Sequence, residues 1–240
     1  MAPALALLAA LPCAALAGRL SRPSAAACSF NGEPLPRPTP TQHHGCRCRP
    51  PWEGPRCSRL AAGWTPAMLP SGTVVAQCPD PTDCTEGLSA ALRSGPGRVV
   101  VPRHADGKGL WPIRGVDFAS DQTVLLEEGV TLGAKRNATF IYACSPPQSL
   151  ATISALRNLT ILAHGASLQM ERAAYADPSL CPHSEFRMAL ALRASDGVAI
   201  HGLTAAESGG DGLYVDGCGR EGCRSFSSNI HIEVRYSLAH

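Results

Sequence analysis

The sequence is poor in aromatic residues, in net charge and in long apolar runs. Aromatic residues make up 5% of the 240 residues, so a core must be built mainly from Ala, Val, Leu and Ile. The 21 basic and 19 acidic residues leave a formal net charge of +2, and there is no polybasic run. A nucleic-acid partner and a membrane-surface partner are therefore not expected. No apolar stretch is long enough for a transmembrane helix, so we predict no membrane span.

Glycine (23 residues), proline (21) and cysteine (11) are plentiful, which fits short strands joined by many turns. Residues 1–17 have the features of a secretory signal peptide, with an apolar run at Leu5–Leu11 and an A-x-A cleavage site at Ala15–Ala17. Its removal would take Cys13 and leave 10 of the 11 cysteines. An even number of cysteines in an exported chain favours disulfides, so we expect a secreted, extracellular protein.

Two N-x-T sequons offer acceptor sites for N-linked glycans in a eukaryotic secretory pathway. They begin at Asn137 and Asn158. Asn158 also lies at the start of a predicted strand. We therefore predict a glycoprotein, with Asn137 and Asn158 as the candidate positions.

The stretch 186–234 contains short apolar segments separated by small, polar or Gly-rich turns. These segments are Met188–Leu192, Val198–Leu203, Leu213–Val215 and Ile230–Val234. Apolar residues alternate within them, which indicates strands. Similar units occur upstream at 122–132 and 158–170, at spacings of roughly 32 to 39 residues. The repeats predict a mainly β fold, a right-handed parallel β-helix, with an antiparallel sandwich as the alternative.

The cysteine-rich segment 18–62 has too few apolar residues for a core of its own and needs disulfides to fold. Its motif CRCRPPWEGPRC, at Cys46–Cys57, resembles the C-terminal half of an EGF-like module, with Trp52 and Gly54 in the expected places. The resemblance implies two disulfides, Cys48–Cys57 and Cys28–Cys46. Four cysteines remain here where the family has six, so the segment resembles an abbreviated EGF-like module.

A metal site is the alternative for this segment. His43, His44, Cys46 and Cys48 are close enough in sequence to ligate zinc. In an oxidising compartment the thiols would instead be paired. We therefore predict no metal here.

Residues 63–79 are predicted to form a Pro- and Gly-containing linker, and residues 80–240 a second domain. Cys78 and Cys84 are near enough to bridge a small loop before a short helix with an apolar face. That helix, the strand RVVVP and the segment LEEGVTLGA resemble the N-terminal start of pectin-lyase-like β-helix proteins. The resemblance continues to about residue 234 and implies a polysaccharide enzyme or binder.

The acidic, Gly-rich turn ESGGDGLYVD is the candidate active site. Glu207, Asp211 and Asp216 could supply the acid and base for glycoside hydrolysis or hold Ca²⁺, and Tyr214 could stack on a sugar ring. Turn chemistry also explains this composition. The paired Asp-Asp and R-x-K motif of the polygalacturonate hydrolases is missing. A lyase would need a basic residue, for which the candidates are Arg193, Arg220 and Arg224.

The remaining cysteines and histidines carry weaker predictions. Cys218 and Cys223 bracket a short loop, and Cys144 and Cys181 could clip a longer loop, so both pairs are expected to form disulfides. Four histidines lie in or beside predicted strands, where packing or solvent exposure is the default. They are His164, His183, His201 and His231.

These observations predict a protein that binds an extracellular glycan or matrix, without a cofactor unless Ca²⁺ binds the acidic turn. The EGF-like segment could also contact a protein partner. One alternative is a polysaccharide lyase or glycoside hydrolase that acts on acidic polysaccharide. Another is an inactive fragment of a larger β-helix protein, because the strand at Ile230–Val234 is followed by no recognisable cap.

Overall fold

The structure is a computed structural model that describes residues 25–35, 45–136, 144, 148–217, 227 and 230–237. The predicted signal peptide, the sequon at Asn137 and the pair Cys218–Cys223 lie outside the described residues. The described part is mainly β, with mostly parallel strand pairing.

Seventeen strands, two α-helices and two 3₁₀ turns make up the described secondary structure. The strands are β1 (Gly32–Pro34), β2 (Cys46–Cys48), β3 (Trp52–Glu53), β4 (Arg59–Leu60), β5 (Thr73–Val75), β6 (Gly97–Val101), β7 (Leu110–Ile113), β8 (Val116–Asp117), β9 (Gln122–Leu126), β10 (Thr131–Ala134), β11 (Ala151–Ser154), β12 (Arg157–Leu162), β13 (Ser167–Gln169), β14 (Leu190–Arg193), β15 (Asp196–Ala206), β16 (Leu213–Asp216) and β17 (His231–Ser237). The helices are α1 (Thr85–Leu92) and α2 (Arg172–Tyr175), and the 3₁₀ turns are Ala25–Cys28 and Pro66–Met68.

From β5 onward every pairing between strands is parallel, and the chain visits three rows in turn. Row one contains β5, β6, β9, β12 and the first part of β15. Row two contains β7, β10, β13 and the last part of β15, and row three contains β8, β11, β14 and β16. Strand β17 pairs with β15 along both parts. Because β5 lies within residues 63–79, part of the predicted linker belongs to this sheet.

The register of row one reproduces the sequence repeat. Val124 pairs with Ile161, Ile161 with Ile200 and Ile200 with Ile232. The differences between these residue numbers are 37, 39 and 32, which agree with the spacing read from the sequence. Val99 precedes them in the same register. The first four side chains of this inward row are at most 1% exposed, so equivalent positions of successive strands stack in one core.

The corner before row one requires left-handed backbone angles. Asp121, Asn158 and Gly197 have φ values of 60°, 53° and 66° at equivalent points of three successive passes. Asp, Asn and Gly are the residues that adopt this conformation at the lowest cost. The Asn158 side chain donates a 2.9 Å hydrogen bond to Asp121, which ties two passes together.

The outer face of row one is also apolar, because residues 25–35 and 45–62, called here the N-terminal unit, cover it. Val100, Leu125 and Leu162 form a second buried cluster with Trp52 and Leu60. Trp52, which belongs to the predicted EGF-like motif, thus contacts the sheet. The N-terminal unit is therefore packed along the side of the parallel strands.

A buried carboxylate fastens the N-terminal unit to the sheet. The side chain of Glu127 is 2% exposed. It accepts hydrogen bonds from the backbone N–H of Leu60 at 3.0 Å and from the backbone N–H of Arg103 at 2.7 Å. The Arg103 guanidinium adds an ion pair at 3.2 Å. Charge and hydrogen bonds of Glu127 are thus satisfied across the junction.

Four disulfides occur among the described residues. They are Cys28–Cys46, Cys48–Cys57, Cys78–Cys84 and Cys144–Cys181. The first two hold the N-terminal unit, whose short strands cannot build a sufficient core alone. The third closes the loop before α1, and the fourth joins two segments between strands of rows two and three.

Asp83 links the start of α1 to two neighbouring segments. Its carboxylate accepts hydrogen bonds from the backbone and side chain of Thr85, and it pairs with Lys135 at 2.8 Å and Arg114 at 3.1 Å. Burial raises the pKa of Asp83, but hydrogen bonds from Lys135 and Thr85 and the charge of Arg114 outweigh it. The pKa falls from 3.8 to about 2.

This depressed pKa predicts an acid-labile contribution to stability. A carboxylate with a lower pKa in the folded state stabilises fully above its unfolded pKa and loses that contribution as pH falls through the folded pKa. The free-energy difference between the unmodified protein and Asp83→Asn should therefore shrink as pH falls from about 4 to about 2. Urea unfolding at a series of pH values measures it. A difference constant over that window would contradict the prediction.

Candidate functional site

The three residues of the predicted acidic site lie on consecutive segments of the chain. Glu207 directly follows β15 with a φ of 58°, Asp211 is exposed in the next turn, and Asp216 ends β16. The three side chains do not form a group with all ligand oxygens within 4.8 Å of one another, which is the spacing of a shared metal site. A general acid and base need a wider separation, of about 5–9.5 Å, so the catalytic role of these residues stays a prediction.

Asp216 is instead part of a small outward-facing group on row three. The Tyr214 hydroxyl donates to the Asp216 carboxylate at 3.1 Å, and the Arg193 guanidinium lies 5.6 Å from the centre of the Tyr214 ring. The hydrogen bond to Asp216 and the negative charges of Asp216 and Asp211 raise the pKa of Tyr214. Arg193, a candidate base in the lyase alternative, is thus engaged with an aromatic ring.

A groove that the sequence did not reveal runs between the N-terminal unit and the start of the parallel rows. It has a volume of about 850 Å³, which is within the usual range for ligand sites. Its wall includes the partly exposed Trp64, together with Glu53, Gln77, Arg103 and His104. The groove depends on the lateral packing of the N-terminal unit, which no local sequence pattern predicts.

The aromatic rings at the floor of this groove are stacked, and its charged side chains are paired. His104 stacks on the buried ring of Trp111 with 5.1 Å between ring centres, and Trp111 Nε1 donates to the Pro102 carbonyl oxygen. Arg103 pairs with Glu127, and Glu53 pairs with Arg59. Arg103 is the only Lys or Arg among the described lining residues, so the groove has little net attraction for a polyanion.

A second polar group lies on the outward face of β15 and β17. His201 Nδ1 is 3.7 Å from one Glu233 oxygen, and His231 Nε2 is 3.6 Å from the other. The two imidazole rings are 5.0 Å apart between centres. The ligand atoms of the three residues all lie within 4.8 Å of one another. The sequence placed both histidines in strands but gave no register that would bring them to one glutamate.

A cavity of about 310 Å³ adjoins this group. Glu233 lines it together with Arg56, His164 and Thr204. Burial lowers the pKa of His164, although the hydrogen bond with the Ala26 carbonyl oxygen partly offsets this effect. Burial also lowers the pKa of His201, against the opposing charge of Glu233. His164 and His201 therefore favour the neutral form, and a neutral imidazole is the form that can bind a metal.

Other potential metal ligands are committed to disulfides. Cys78 and Cys84 lie close to His104, but the two sulfurs are bonded to each other and supply no thiolate. Cys46 and Cys48, which the zinc alternative requires, are likewise in disulfides. His43 and His44 lie outside the described residues.

Asn158 is the one sequon asparagine in the described part of the chain. Its side chain is exposed but donates to Asp121 in the corner before row one. A glycan on this nitrogen would replace one of the hydrogens available for that bond. The modification of Asn158 stays a prediction.

Comparisons with known proteins name no family for this chain. No family model, no curated protein and no solved structure matches it. Within the described residues, no helix has the length and apolar character needed to cross a membrane.

Proposed function

We propose that this chain is an exported glycan-binding protein in which an abbreviated EGF-like module packs against a short right-handed parallel β-helix. Three features support the architecture: parallel rows visited in turn, stacked core positions 32 to 39 residues apart, and disulfides at Cys28–Cys46 and Cys48–Cys57. Disulfides of this number also fit an oxidising compartment. A protein partner of the EGF-like module stays a further prediction.

The groove beside the N-terminal unit is the proposed binding site, and its single partly exposed tryptophan carries the proposal. An indole face beside polar groups suits a sugar ring, which presents both C–H and hydroxyl surfaces. Glu53 and Gln77 flank Trp64 with hydrogen-bonding atoms. Because the lining charges are already paired, the proposed ligand is a neutral glycan. An enzyme that acts on acidic polysaccharide through Glu207, Asp211 and Asp216 stays the alternative.

Replacing Trp64 with alanine tests the binding site. Loss of the ring contact is expected to weaken binding of a neutral oligosaccharide on the order of tenfold, equivalent to about 1.4 kcal/mol. A glycan array on the full secreted chain identifies the oligosaccharide, and calorimetry with purified variants measures the affinity. Release of reducing or unsaturated sugar ends from the same ligands is assayed in parallel, because turnover would favour the enzyme alternative.

Phe186→Ala is the matched control, because Phe186 is an aromatic residue 59% exposed that does not line the groove. It should leave glycan affinity unchanged. Since Trp64 also touches the apolar cluster of the N-terminal unit, the melting temperature of Trp64→Ala must be recorded before its affinity is interpreted. Equal binding by folded Trp64→Ala and the unmodified chain would refute the groove as the site.

A further inference from the structure

Two imidazoles and one carboxylate converge at the outward face of β15 and β17. The observed separations of 3.7 Å from His201 and 3.6 Å from His231 to the Glu233 oxygens are close to what a metal requires. A tetrahedral ion with bonds of about 2.0–2.1 Å holds its ligand atoms roughly 3.3–3.4 Å apart. Small side-chain rotations that move the ligand atoms by a few tenths of an ångström would bring the observed separations to this value. Both separations are longer than an ordinary hydrogen bond.

The backbone holds these three residues in register. His201 and Glu233 are directly paired across β15 and β17, and His231 lies two residues before Glu233 on the same face. Two ligands therefore come from one strand and the third from its neighbour. Ligands carried by paired strands are positioned more tightly than ligands on loops.

A β-bulge lies directly beside the group. The register between β15 and β17 shifts between His201 and Leu203, which leaves Gly202 as the extra residue with a φ of 71°. A Cβ at Gly202 would overlap His164, so glycine is required there. Bulges often re-aim side chains beside functional sites, and this one separates His201 from the regular pairing that resumes at Leu203.

The ligand types of His201, His231 and Glu233, called here the trio, select the class of ion. Two imidazoles and a carboxylate are borderline donors that suit Zn²⁺, whereas Ca²⁺ and Mg²⁺ prefer oxygen-only sites. Three protein ligands leave one coordination position open, as at catalytic zinc sites with two histidines and a glutamate. Glu233 also faces the 310 Å³ cavity that contains Arg56. A water molecule or a small carboxylate anion could occupy the open position from that side.

We propose that His201, His231 and Glu233 form a binding site for one divalent transition-metal ion, with Zn²⁺ as the best-fitting ion. The site belongs to β15 and β17, and the glycan groove belongs to the N-terminal unit and β5–β7. Failure of one proposal would therefore leave the other unaffected.

Metal titration of the full secreted chain tests the site. After chelation and dialysis, Zn²⁺ is titrated and the bound ion is counted by elemental analysis. Co²⁺ is the spectroscopic probe, because its visible absorption reports coordination by nitrogen and oxygen ligands. We expect saturation at one ion per chain. His231→Ala and Glu233→Gln should each weaken Zn²⁺ binding on the order of 100-fold or more, since loss of a residue that only hydrogen-bonds to a metal ligand already costs about 10–100-fold.

His183→Ala is the matched control, because His183 is an exposed histidine outside the trio. It should bind Zn²⁺ as the unmodified chain does. His231 and Glu233 are each more than half exposed, so their substitution should leave the fold intact, as melting in the absence of metal will show. Failure to bind Zn²⁺ and Co²⁺ would overturn the proposal, and so would binding that both trio variants retain.

Discussion

Glu127→Ala is expected to lower the free energy of unfolding by about 3–5 kcal/mol, because each buried hydrogen-bonding group left without its partner costs about 1–3 kcal/mol. The substitution leaves the N–H groups of Leu60 and Arg103 without their acceptor and the Arg103 guanidinium without its counter-charge. For a chain of this size the melting temperature should fall by roughly 6–20 °C. The N-terminal unit should also become more sensitive to limited proteolysis, because Glu127 fastens it to the sheet.

Glu86→Ala is the control for Glu127→Ala. The Glu86 side chain is 88% exposed and pairs only with the exposed Arg93, so its loss should change stability by less than about 1 kcal/mol. A Glu127→Ala protein as stable as Glu86→Ala would show that the junction does not depend on the buried carboxylate.

Trp111→Ala is the second substitution with a large expected effect. The Trp111 side chain is 1% exposed within the main core, and its indole N–H donates to the Pro102 carbonyl oxygen at 3.0 Å. Removing it creates a cavity at the start of row two and leaves a buried carbonyl oxygen unpaired. The expected loss is about 3–5 kcal/mol, measured by urea unfolding with intact disulfides.

Trp64→Ala provides the comparison for Trp111→Ala, because the two tryptophans line the same groove at different depths. Trp64 is partly exposed, so its substitution should affect glycan affinity more than stability. Trp111→Phe keeps the apolar volume but not the hydrogen bond, and it should lie between the unmodified chain and Trp111→Ala. Equal stability of Trp111→Ala and Trp64→Ala would contradict the described core.

The parallel rows were largely predictable because their core positions alternate. Leu159 and Ile161, or Val198 and Ile200, are two residues apart and both point inward. Strand limits were less accurate. The unit predicted at 122–132 is divided between β9 and β10, and the unit at 158–170 is divided between β12 and β13. Turns there are short, so apolar residues on both sides read as one run.

The covered outer face of row one was missed, although a signal for it exists. The run at Val99–Val101 does not alternate, and all three side chains are buried. A short unbroken apolar run indicates a strand buried on both faces. The sequence could not show that the N-terminal unit supplies the second layer, because that contact joins segments far apart in the chain.

The candidate sites also differ in whether their residues are close in sequence or are brought together only by strand pairing. The acidic turn was predicted as a site because its residues are close in sequence, yet Glu207, Asp211 and Asp216 do not form a group of metal ligands within 4.8 Å of one another. His201 and Glu233 are 32 residues apart and meet only because β15 and β17 pair in one register with a bulge. Neither register nor bulge follows from local composition.

The lateral position of the N-terminal unit has a consequence for cooperativity. Stacked-repeat proteins depend on contacts between neighbouring repeats, so their ends can open without the middle. Here one covering layer touches three consecutive strands, at Val100, Leu125 and Leu162. This covering layer couples the opening of the three strands, because opening any one of them exposes apolar surface that is shared with the other two. Hydrogen exchange should therefore report a single opening unit over β6, β9 and β12. Strand β17 contributes no residue to the covered cluster, so its amides should exchange earlier.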